Sequence, residues 1–163
     1  MAPKLELVFT MRGYLDVENC VDLKAIKSGP HRAIVPINGG FIEGSGLKAQ
    51  VLPGSGDWIL TDPTTGVSDL DVRIQARTDD GHSLYVHYNG KLKANDKVDK
   101  VLSFAPDAKT TNYGDHEWFI TPIVETSDPK FKWVEESVFI GQGHFIVDST
   151  GSAVEYQIYR IVN

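Results

Sequence analysis

The sequence predicts an all-β fold, a single antiparallel β-barrel of about 8–10 strands. Apolar and polar residues alternate in short runs along most of the 163 residues. Turn-forming residues, chiefly Gly, Pro, Asn and Asp, separate these runs. Short strands divided in this way are typical of an antiparallel sandwich or barrel. We favour the barrel, because closing the sheet removes the edges that so many strands would otherwise expose.

The strand-like runs can be followed in order along the chain. They cover residues 5–11, 34–37, 41–43, 47–51, 57–61, 71–89, 117–126, 138–147 and 154–162. We expect the Gly-rich segments Asn38-Gly39-Gly40, Gly44-Ser45-Gly46 and Pro53-Gly54-Ser55-Gly56 to be turns between strands. Residues 1–163 then form one domain, without an internal repeat or a linker.

Residues 71–89 predict a β-hairpin that turns at Asp79-Asp80-Gly81. A two-residue turn would mix polar and apolar side chains on each face. A three-residue loop, with Gly81 at positive φ, instead pairs Thr78 with His82. We prefer this second register because it separates the faces. It places Gln75 opposite Tyr85, Arg73 opposite His87 and Asp71 opposite Asn89, with Val72, Ile74 and Ala76 facing Leu84, Val86 and Tyr88 on the other side.

The preferred register collects titratable and hydrogen-bonding side chains on one face of the hairpin. They are Asp71, Arg73, Gln75, Arg77, Tyr85 and His87. In many half-buried sheets a polar row is simply the face exposed to water, and alternation alone does not separate the two cases. A solvated face usually draws on Lys, Glu and Thr, whereas Arg, Asp, Tyr and His orient or protonate ligands. We therefore predict that this row faces the hollow of the barrel.

One stretch, residues 95–104, breaks the alternation. Val98, Val101 and Leu102 have helical spacing, and Asn95 is suited to cap a helix whose first turn holds Asp96. A loop is expected to follow at residues 105–115. A short helix and a loop of this length form either a lid over the barrel mouth or a plug or plain connector, and both alternatives stay open.

Composition and motifs exclude several classes of function. The formal charge of −6 and the pI near 5.3 argue against nucleic-acid binding, which needs a basic stripe. We find neither the roughly 20 apolar residues of a membrane span nor a signal peptide, and the single Cys20 suits a reducing cytosol. We expect a cytoplasmic protein that binds neither nucleic acid nor membrane.

Motifs for metals and cofactors are not found. The five histidines form no HxH or HExxH group, and the glycine segments match neither the dinucleotide-binding nor the P-loop pattern. A Gly-x-Ser-x-Gly nucleophile elbow is not found either. We therefore expect no metal and no cofactor.

Five segments spread over nearly the whole chain form a recognisable combination. They are Arg32-Ala33-Ile34-Val35-Pro36-Ile37-Asn38-Gly39-Gly40, Val51-Leu52-Pro53-Gly54-Ser55-Gly56-Asp57-Trp58, Arg77-Thr78-Asp79-Asp80-Gly81 with Tyr85, Thr121-Pro122 through Glu125, and Phe139-Ile140-Gly141-Gln142-Gly143. In these segments the chain resembles the DUF3237 family, also called UPF0311. The resemblance implies a single β-barrel with a helix-bearing insertion at residues 95–115, and it implies little about activity.

The resemblance also singles out functional residues. They are Arg32, Asp57, Trp58, Asp71, Arg77, Tyr85 and Glu125. Two positions depart from the usual family pattern, since Ile120 stands where an Arg is usual and Val124 where an aromatic residue is usual. These departures imply a remodelled pocket.

Two functional hypotheses follow. The first is a cofactor-independent enzyme of secondary metabolism that binds a small, hydrophobic, hydroxylated metabolite in the barrel lumen and isomerises, dehydrates or cyclises it by acid–base chemistry. Asp71 or His87 would move a proton, with Tyr85 as donor, while Arg73 or Arg77 would hold an oxyanion. Further ligand contacts are expected from Arg32, Asp57, Trp58, Gln75, Arg77, Phe119, Thr121 and Glu125.

The second hypothesis is a barrel that binds a small hydrophobic ligand without changing it. A binder needs only one or two polar anchors, whereas an enzyme needs a proton-transfer group with an oriented partner. We favour the enzyme. A structural protein has less support, and a homo-oligomer built on exposed strands is a further option.

Overall fold

The computed structural model describes residues 1–103 and 105–163, which form ten strands, one α-helix and one 3-10 helix. The strands are β1 (Lys4–Leu15), β2 (Val21–Ala25), β3 (His31–Gly44), β4 (Leu47–Val51), β5 (Ser55–Thr61), β6 (Val67–Thr78), β7 (Ser83–Lys93), β8 (Trp118–Thr126), β9 (Phe139–Asp148) and β10 (Gly151–Val162). Helix α1 (Asp96–Leu102) follows β7, and the 3-10 helix Pro129–Glu136 joins β8 to β9. Among the described residues, no helix has the length and hydropathy that crossing a membrane requires.

The strands form one antiparallel sheet that closes on itself. Its order is β1-β10-β9-β8-β7-β6-β4-β3-β2, and β5 also pairs with β3 and β6. A further pairing between β1 and β3 closes the ring, and β2 extends from β3 outside it. The predicted antiparallel barrel is confirmed.

Strands β6 and β7 form the hairpin in the preferred register. The Thr78 amide donates to the His82 carbonyl at 2.9 Å, and Gly81 has a φ of 92°. Asp71 therefore pairs with Asn89, Arg73 with His87 and Gln75 with Tyr85. The three-residue loop predicted from the separation of faces is confirmed.

The polar face of this hairpin points outward, so the prediction that it lines the hollow of the barrel is wrong. The side chains of Arg73 and Asp71 are 45% and 39% exposed. The opposite, apolar row, which includes Val72, Ile74 and Val86, is almost wholly buried. The interior of a small barrel is a side-chain core, and burying the apolar row stabilises the fold more than burying charges would.

Strand β3 runs without interruption through Asn38-Gly39-Gly40, where the sequence predicts a turn. Gly40 has a φ of 128°, and a Cβ atom there would lie 1.9 Å from the Arg12 carbonyl oxygen. The register between β1 and β3 shifts just beyond this point, between Tyr14 and Leu15. The glycines thus let a long strand bend against β1, rather than reverse, because no side chain obstructs the close approach.

The barrel interior is divided into a packed half and a hollow half. In the packed half, the 3-10 helix places Trp133 in a stacked arrangement with Phe9, at 5.7 Å between ring centroids. Phe139 lies 6.2 Å from the same indole ring. Aliphatic side chains fill the rest of this half and leave a gap of only about 10 Å³. The hollow half lies toward helix α1.

Helix α1 begins as predicted. The Asn95 side chain accepts hydrogen bonds from the amides of Lys97 and Val98, each at 3.1 Å. The Asn95 amide group donates to the Asp115 carbonyl at 3.1 Å, which ties the helix to the following loop. Val98 and Val101 are buried, and the helix ends at Leu102. The last predicted helical residue, Phe104, lies outside the described residues.

The barrel cavity as a candidate active site

The hollow half encloses a cavity of about 370 Å³. This volume lies in the range of small-molecule sites, roughly 300–1,000 Å³. Inward-facing aliphatic and aromatic side chains form most of its wall, and Leu102 of α1 contributes to it. Helix α1 therefore forms part of the cavity wall, and the alternatives of a lid or a plug stay predictions. The polar groups in the wall are Asp57, Tyr88, Trp118 and Tyr156 in the interior and Cys20, Asp22, His31 and Thr61 toward the surface.

Asp57 is the acidic side chain buried in the wall of this cavity, with 9% of its surface exposed. Strand β5 alternates, so Asp57 faces inward while Trp58 faces outward. The backbone amide of Asp71 donates to Asp57 Oδ1 at 3.2 Å. Strands β5 and β6 pair at Asp57 with Val72 and again at Leu60 with Asp69. The Asp71 amide lies on β6 between these two pairs, and it donates its hydrogen bond to the Asp57 carboxyl group.

Burial raises the pKa of Asp57 to about 7. The amide of Asp71 and the charge of Arg32 lower this pKa, and the negative charge of Asp71 raises it. Desolvation is the largest cause, because the charged carboxylate loses more hydration energy on burial than the Asp71 amide and the Arg32 charge restore. A carboxyl group with this pKa exchanges a proton readily near neutral pH, which is what acid–base catalysis requires.

Three aromatic side chains with polar tips line the same cavity. Tyr88, Trp118 and Tyr156 are each at most 2% exposed. Burial raises the pKa of Tyr88, and the charge of Asp57 raises it further. Burial also raises the pKa of Tyr156, followed by the effect of Tyr88. Both phenols therefore stay protonated at neutral pH and act as hydrogen-bond donors.

The four residues predicted to be catalytic lie outside the barrel, away from this cavity. Asp71 Oδ1 accepts a hydrogen bond from Arg73 Nη1 at 3.0 Å and lies 3.2 Å from His87 Nε2. Tyr85 is 38% exposed on the same outer face. The structure thus brings Asp71, Arg73 and His87 together, as the register predicted, but as a surface cluster open to water, where ion pairs contribute little.

Most of the predicted ligand-binding residues also face outward. Arg32 donates to the Trp58 carbonyl at 2.6 Å, and the Arg73 guanidinium lies over the Trp58 ring at 5.4 Å. Gln75 donates to the Pro53 carbonyl at 2.7 Å. Of the predicted site residues, Asp57 is the one that lines the cavity.

The remaining predicted residues lie on the outer face of β6, β7 and β8. Gln75, Arg77, Tyr85 and Glu125 border a shallow groove open to solvent. Phe119 and Thr121 are exposed on β8, because the Trp118 and Ile120 face of that strand points inward. The two β8 residues predicted to bind a ligand therefore lie on the outer face of the barrel, away from the cavity.

Sequence reasoning missed Tyr88, Trp118 and Tyr156. The available signal was a hydroxyl or indole N–H within an otherwise aliphatic inward row, as in Val72, Ile74, Val86 and Tyr88. In a small-molecule cavity, a few polar tips among apolar walls orient the ligand. The prediction relied instead on the charged residues of the opposite face, and these lie on the outer surface of the barrel.

Two further clusters of polar residues are accounted for by contacts within the protein. On the outside of the barrel, Glu155 accepts from Arg12 Nε at 2.6 Å and lies 3.1 Å from His144 Nε2. Tyr113 packs on the His144 ring at 4.1 Å, which fastens the loop after α1 to the wall. These contacts give the cluster a structural role.

The second cluster brings together ligand atoms of Asp80, His82 and Asp128 within 4.8 Å of one another. Asp128 accepts from the Lys130 amide at 2.9 Å and caps the 3-10 helix. Asp80 accepts from the Thr78 hydroxyl at 2.6 Å. Because both carboxylate groups already accept hydrogen bonds from the protein, we do not assign a metal to this cluster.

Comparison with known proteins connects the chain to one family and to fungal proteins. The family described as "Protein of unknown function (DUF3237)" matches residues 3–161. A UPF0311 protein of Rhodopseudomonas palustris is 28% identical over 152 residues, which cover 86% of this chain and 89% of that protein. The PR-toxin biosynthesis cluster protein 7 of Penicillium roqueforti is 25% identical over 135 residues, which cover 78% of this chain and 71% of that protein.

The fold is also similar to that of a solved fungal structure. The crystal structure of an enzyme from Penicillium herquei matches with a TM-score of 0.60 at 16% identity, over 99% of this chain and 96% of that one. At this identity the likeness concerns the fold alone. Since the family match spans nearly the whole chain, from residue 3 to residue 161, this protein belongs to the DUF3237 family.

Proposed function

We propose that this protein is a cofactor-independent enzyme that binds a small, hydrophobic, hydroxylated metabolite in the barrel cavity and isomerises, dehydrates or cyclises it. The observation that carries the proposal is the buried Asp57 carboxyl group, whose pKa of about 7 suits proton transfer at neutral pH. Asp57 takes the role that the sequence had assigned to Asp71 or His87.

The surroundings of Asp57 support this chemistry. The wall around Asp57 is mostly apolar, which favours transfer of a proton from a bound ligand to this carboxyl group. Tyr88 and Tyr156 supply hydrogen-bond donors in the same cavity. Reactions that only relocate a proton, or expel or add a hydroxyl group within one molecule, need no electron carrier.

The comparisons agree with a place in secondary metabolism. One relative, 25% identical, is named as a member of the PR-toxin biosynthesis cluster. A protein of similar fold from Penicillium herquei is described as an enzyme. The fold therefore supports catalysis in at least one other chain.

A second candidate function is binding without catalysis. It is favoured by the contact between Asp57 Oδ1 and the Asp71 amide, because this contact gives the carboxyl group a structural role that needs no substrate. In that case the cavity holds a hydrophobic ligand through its apolar wall.

The substitutions Asp57→Asn and Asp71→Asn separate the two functions. The carboxamide introduced by Asp57→Asn keeps an oxygen for the Asp71 amide but cannot accept a proton from a substrate. The matched control, Asp71→Asn, changes an exposed carboxylate on the neighbouring strand. A strain lacking the gene is complemented with each form, and its metabolites are compared by mass spectrometry.

We expect a precursor to accumulate in the deletion strain and in the Asp57→Asn strain. The wild-type and Asp71→Asn forms should restore the product. Full restoration by Asp57→Asn, with the variant folded as judged by circular dichroism, would favour the binding function instead.

A further inference from the structure

Trp118, Tyr156 and Tyr88 form a continuous row along the cavity wall. The rings of Trp118 and Tyr156 meet edge to face, with 5.2 Å between centroids and 82° between planes. The rings of Tyr156 and Tyr88 meet at 5.4 Å and 67°. Such contacts fix the direction in which each polar tip points. The row therefore has a defined order, from the indole to the phenol of Tyr88.

Gly143 of β9 makes room for one end of this row. A Cβ atom at Gly143 would lie 2.6 Å from Trp118 Cδ2 and 2.8 Å from Tyr156 Cε1. Both rings thus rest directly on the strand backbone. Any residue larger than glycine would displace these rings, so Gly143 is required for the arrangement of the row.

The polar tips of the row are all able to donate hydrogen bonds. The buried Trp118 Nε1 has no hydrogen-bond acceptor within residues 1–103 and 105–163. Tyr156 and Tyr88 line the same cavity, and each carries a hydroxyl group at its tip. An indole N–H only donates and a protonated phenol can donate as well as accept, so the Tyr88 hydroxyl can donate a hydrogen bond to a ligand in the cavity.

The last donor of the row lies on the same inner face as Asp57. Asp57 pairs with Val72 across β5 and β6, and Val72 pairs with Tyr88 across β6 and β7. Adjacent strands are about 4.8 Å apart, so the two Cα atoms are roughly 10 Å apart across the wall. A small ligand can therefore contact the Tyr88 hydroxyl and the Asp57 carboxylate at the same time.

We infer that the cavity takes an enolisable carbonyl compound, whose carbonyl oxygen accepts a hydrogen bond from the Tyr88 hydroxyl while a neighbouring C–H group faces Asp57. The Tyr88 hydroxyl can donate to an acceptor on the ligand, and a carbonyl oxygen accepts without presenting a proton of its own. This inference rests on the proposed function and names its substrate class.

The corresponding step balances without a co-reactant. The Asp57 carboxylate removes a proton from the carbon beside the carbonyl, and the electron pair of that C–H bond moves through the new C=C bond onto the oxygen. The Tyr88 hydroxyl stabilises the resulting enolate. In a ligand with a C=C bond next to that carbon, the Asp57 carboxylic acid then returns the proton to the far carbon of the dienolate, which restores the C=O bond and completes an isomerisation.

The test uses 1-tetralone, labelled with ¹³C at the carbonyl, and the hydrocarbon tetralin as a matched probe without oxygen. We expect 1-tetralone to bind the wild-type protein about tenfold more tightly than tetralin, as one buried hydrogen bond allows. Its carbonyl resonance should move downfield on binding. Tyr88→Phe should remove both the preference and the shift, while the controls Tyr156→Phe and Asp57→Asn should keep the shift.

Proton transfer is measured separately, as deuterium exchange beside the carbonyl in D₂O. Exchange with wild-type protein but not with Asp57→Asn supports the proposed function. A carbonyl shift without exchange would contradict the proposed function and leave the carbonyl site standing. Equal binding of the two probes, failure of both to bind at millimolar concentration, or an unchanged shift in folded Tyr88→Phe would overturn the inference.

Discussion

The carboxyl group of Asp57 is nearly buried, accepts one backbone amide and lies beside an apolar cavity. Asp71, on the adjacent strand, carries the same functional group but is 39% exposed and contacts Arg73 and His87. The two identical carboxyl groups therefore differ in hydration, because folding removes most of the surrounding water only from Asp57. The environment, and not the residue type, therefore raises the pKa of Asp57.

The raised pKa of Asp57 predicts how stability depends on pH. Because the folded pKa of about 7 exceeds the ordinary value of 3.8, the unfolded chain releases this proton more readily than the folded one. The free energy of unfolding should fall as pH rises from about 4 to about 7, by at most about 4 kcal/mol from this group, and then level off. Urea unfolding monitored by tryptophan fluorescence at several pH values measures this slope.

The control for this prediction is the Asp57→Asn variant, which has no proton to release. Its stability relative to the wild type should increase between pH 4 and pH 7. The same pH dependence in both proteins would show that other groups cause it. The exposed-site variant Asp71→Asn should keep most of the wild-type slope, because burial, the largest cause of the raised Asp57 pKa, is unchanged and only the smaller contribution of the Asp71 charge is lost.

At the scale of elements, the hairpin β6–β7 was predicted in its correct register. The reason is local, since the loop residues and the alternation of nearby side chains specify the pairing. Strand β1 shows what such reasoning misses. Its register against β10 shifts between Leu7 and Phe9, so that Leu5 and Leu7 face outward while Phe9 and Met11 are buried. A bulge of this kind reverses the alternation without a clear sequence signal.

Strand β9 provides an element-scale prediction through Gly143. Gly143→Ala should lower the free energy of unfolding by about 2 kcal/mol or more, because its Cβ atom would overlap the rings of Trp118 and Tyr156. Gly39→Ala is the control, since a Cβ atom there meets nothing within 4 Å. Its effect should stay within about 0.5 kcal/mol. Equal losses for the two variants in urea unfolding would contradict the prediction.

At the scale of the whole molecule, one half of the barrel stabilises the fold and the other half holds the cavity. The 3-10 helix and the inner side chains fill the first half, and helix α1 borders the second. If side chains filled both halves of the barrel equally well, no cavity would remain for a ligand. The uneven filling thus reconciles a stable core with a space for a ligand.

This division of the barrel predicts that a Leu→Ala substitution lowers the free energy of unfolding more in the packed half than beside the cavity. Leu47 lies in the packed half and Leu70 lines the cavity, and they are 4% and 3% exposed. Leu47→Ala should cost about 3–5 kcal/mol, since it leaves a void among packed side chains. Leu70→Ala should cost at least about 1 kcal/mol less, because part of the leucine surface faces the cavity and has fewer contacts to lose. Urea unfolding of both variants tests this difference.

Much of the fold could be predicted from local patterns, but with particular failures. The barrel class, the N-cap at Asn95 and the register of the hairpin follow from short-range signals. Strand β2 and the 3-10 helix were missed, although Asp128 followed by Pro129 is a helix-start signal. The turn expected at Asn38-Gly39-Gly40 is a bend within β3, since glycine permits either outcome.

The sequence by itself determined which side chains share a face of each strand, because that depends only on the period of two residues. Which face points inward was decided by the closure of β1 on β3, a contact between distant segments that encloses the apolar rows. The same closure placed Asp57, Tyr88, Trp118 and Tyr156 around one cavity, although they come from four strands that lie far apart in the chain. Local patterns cannot show such a site, because burial is a property of the assembled barrel.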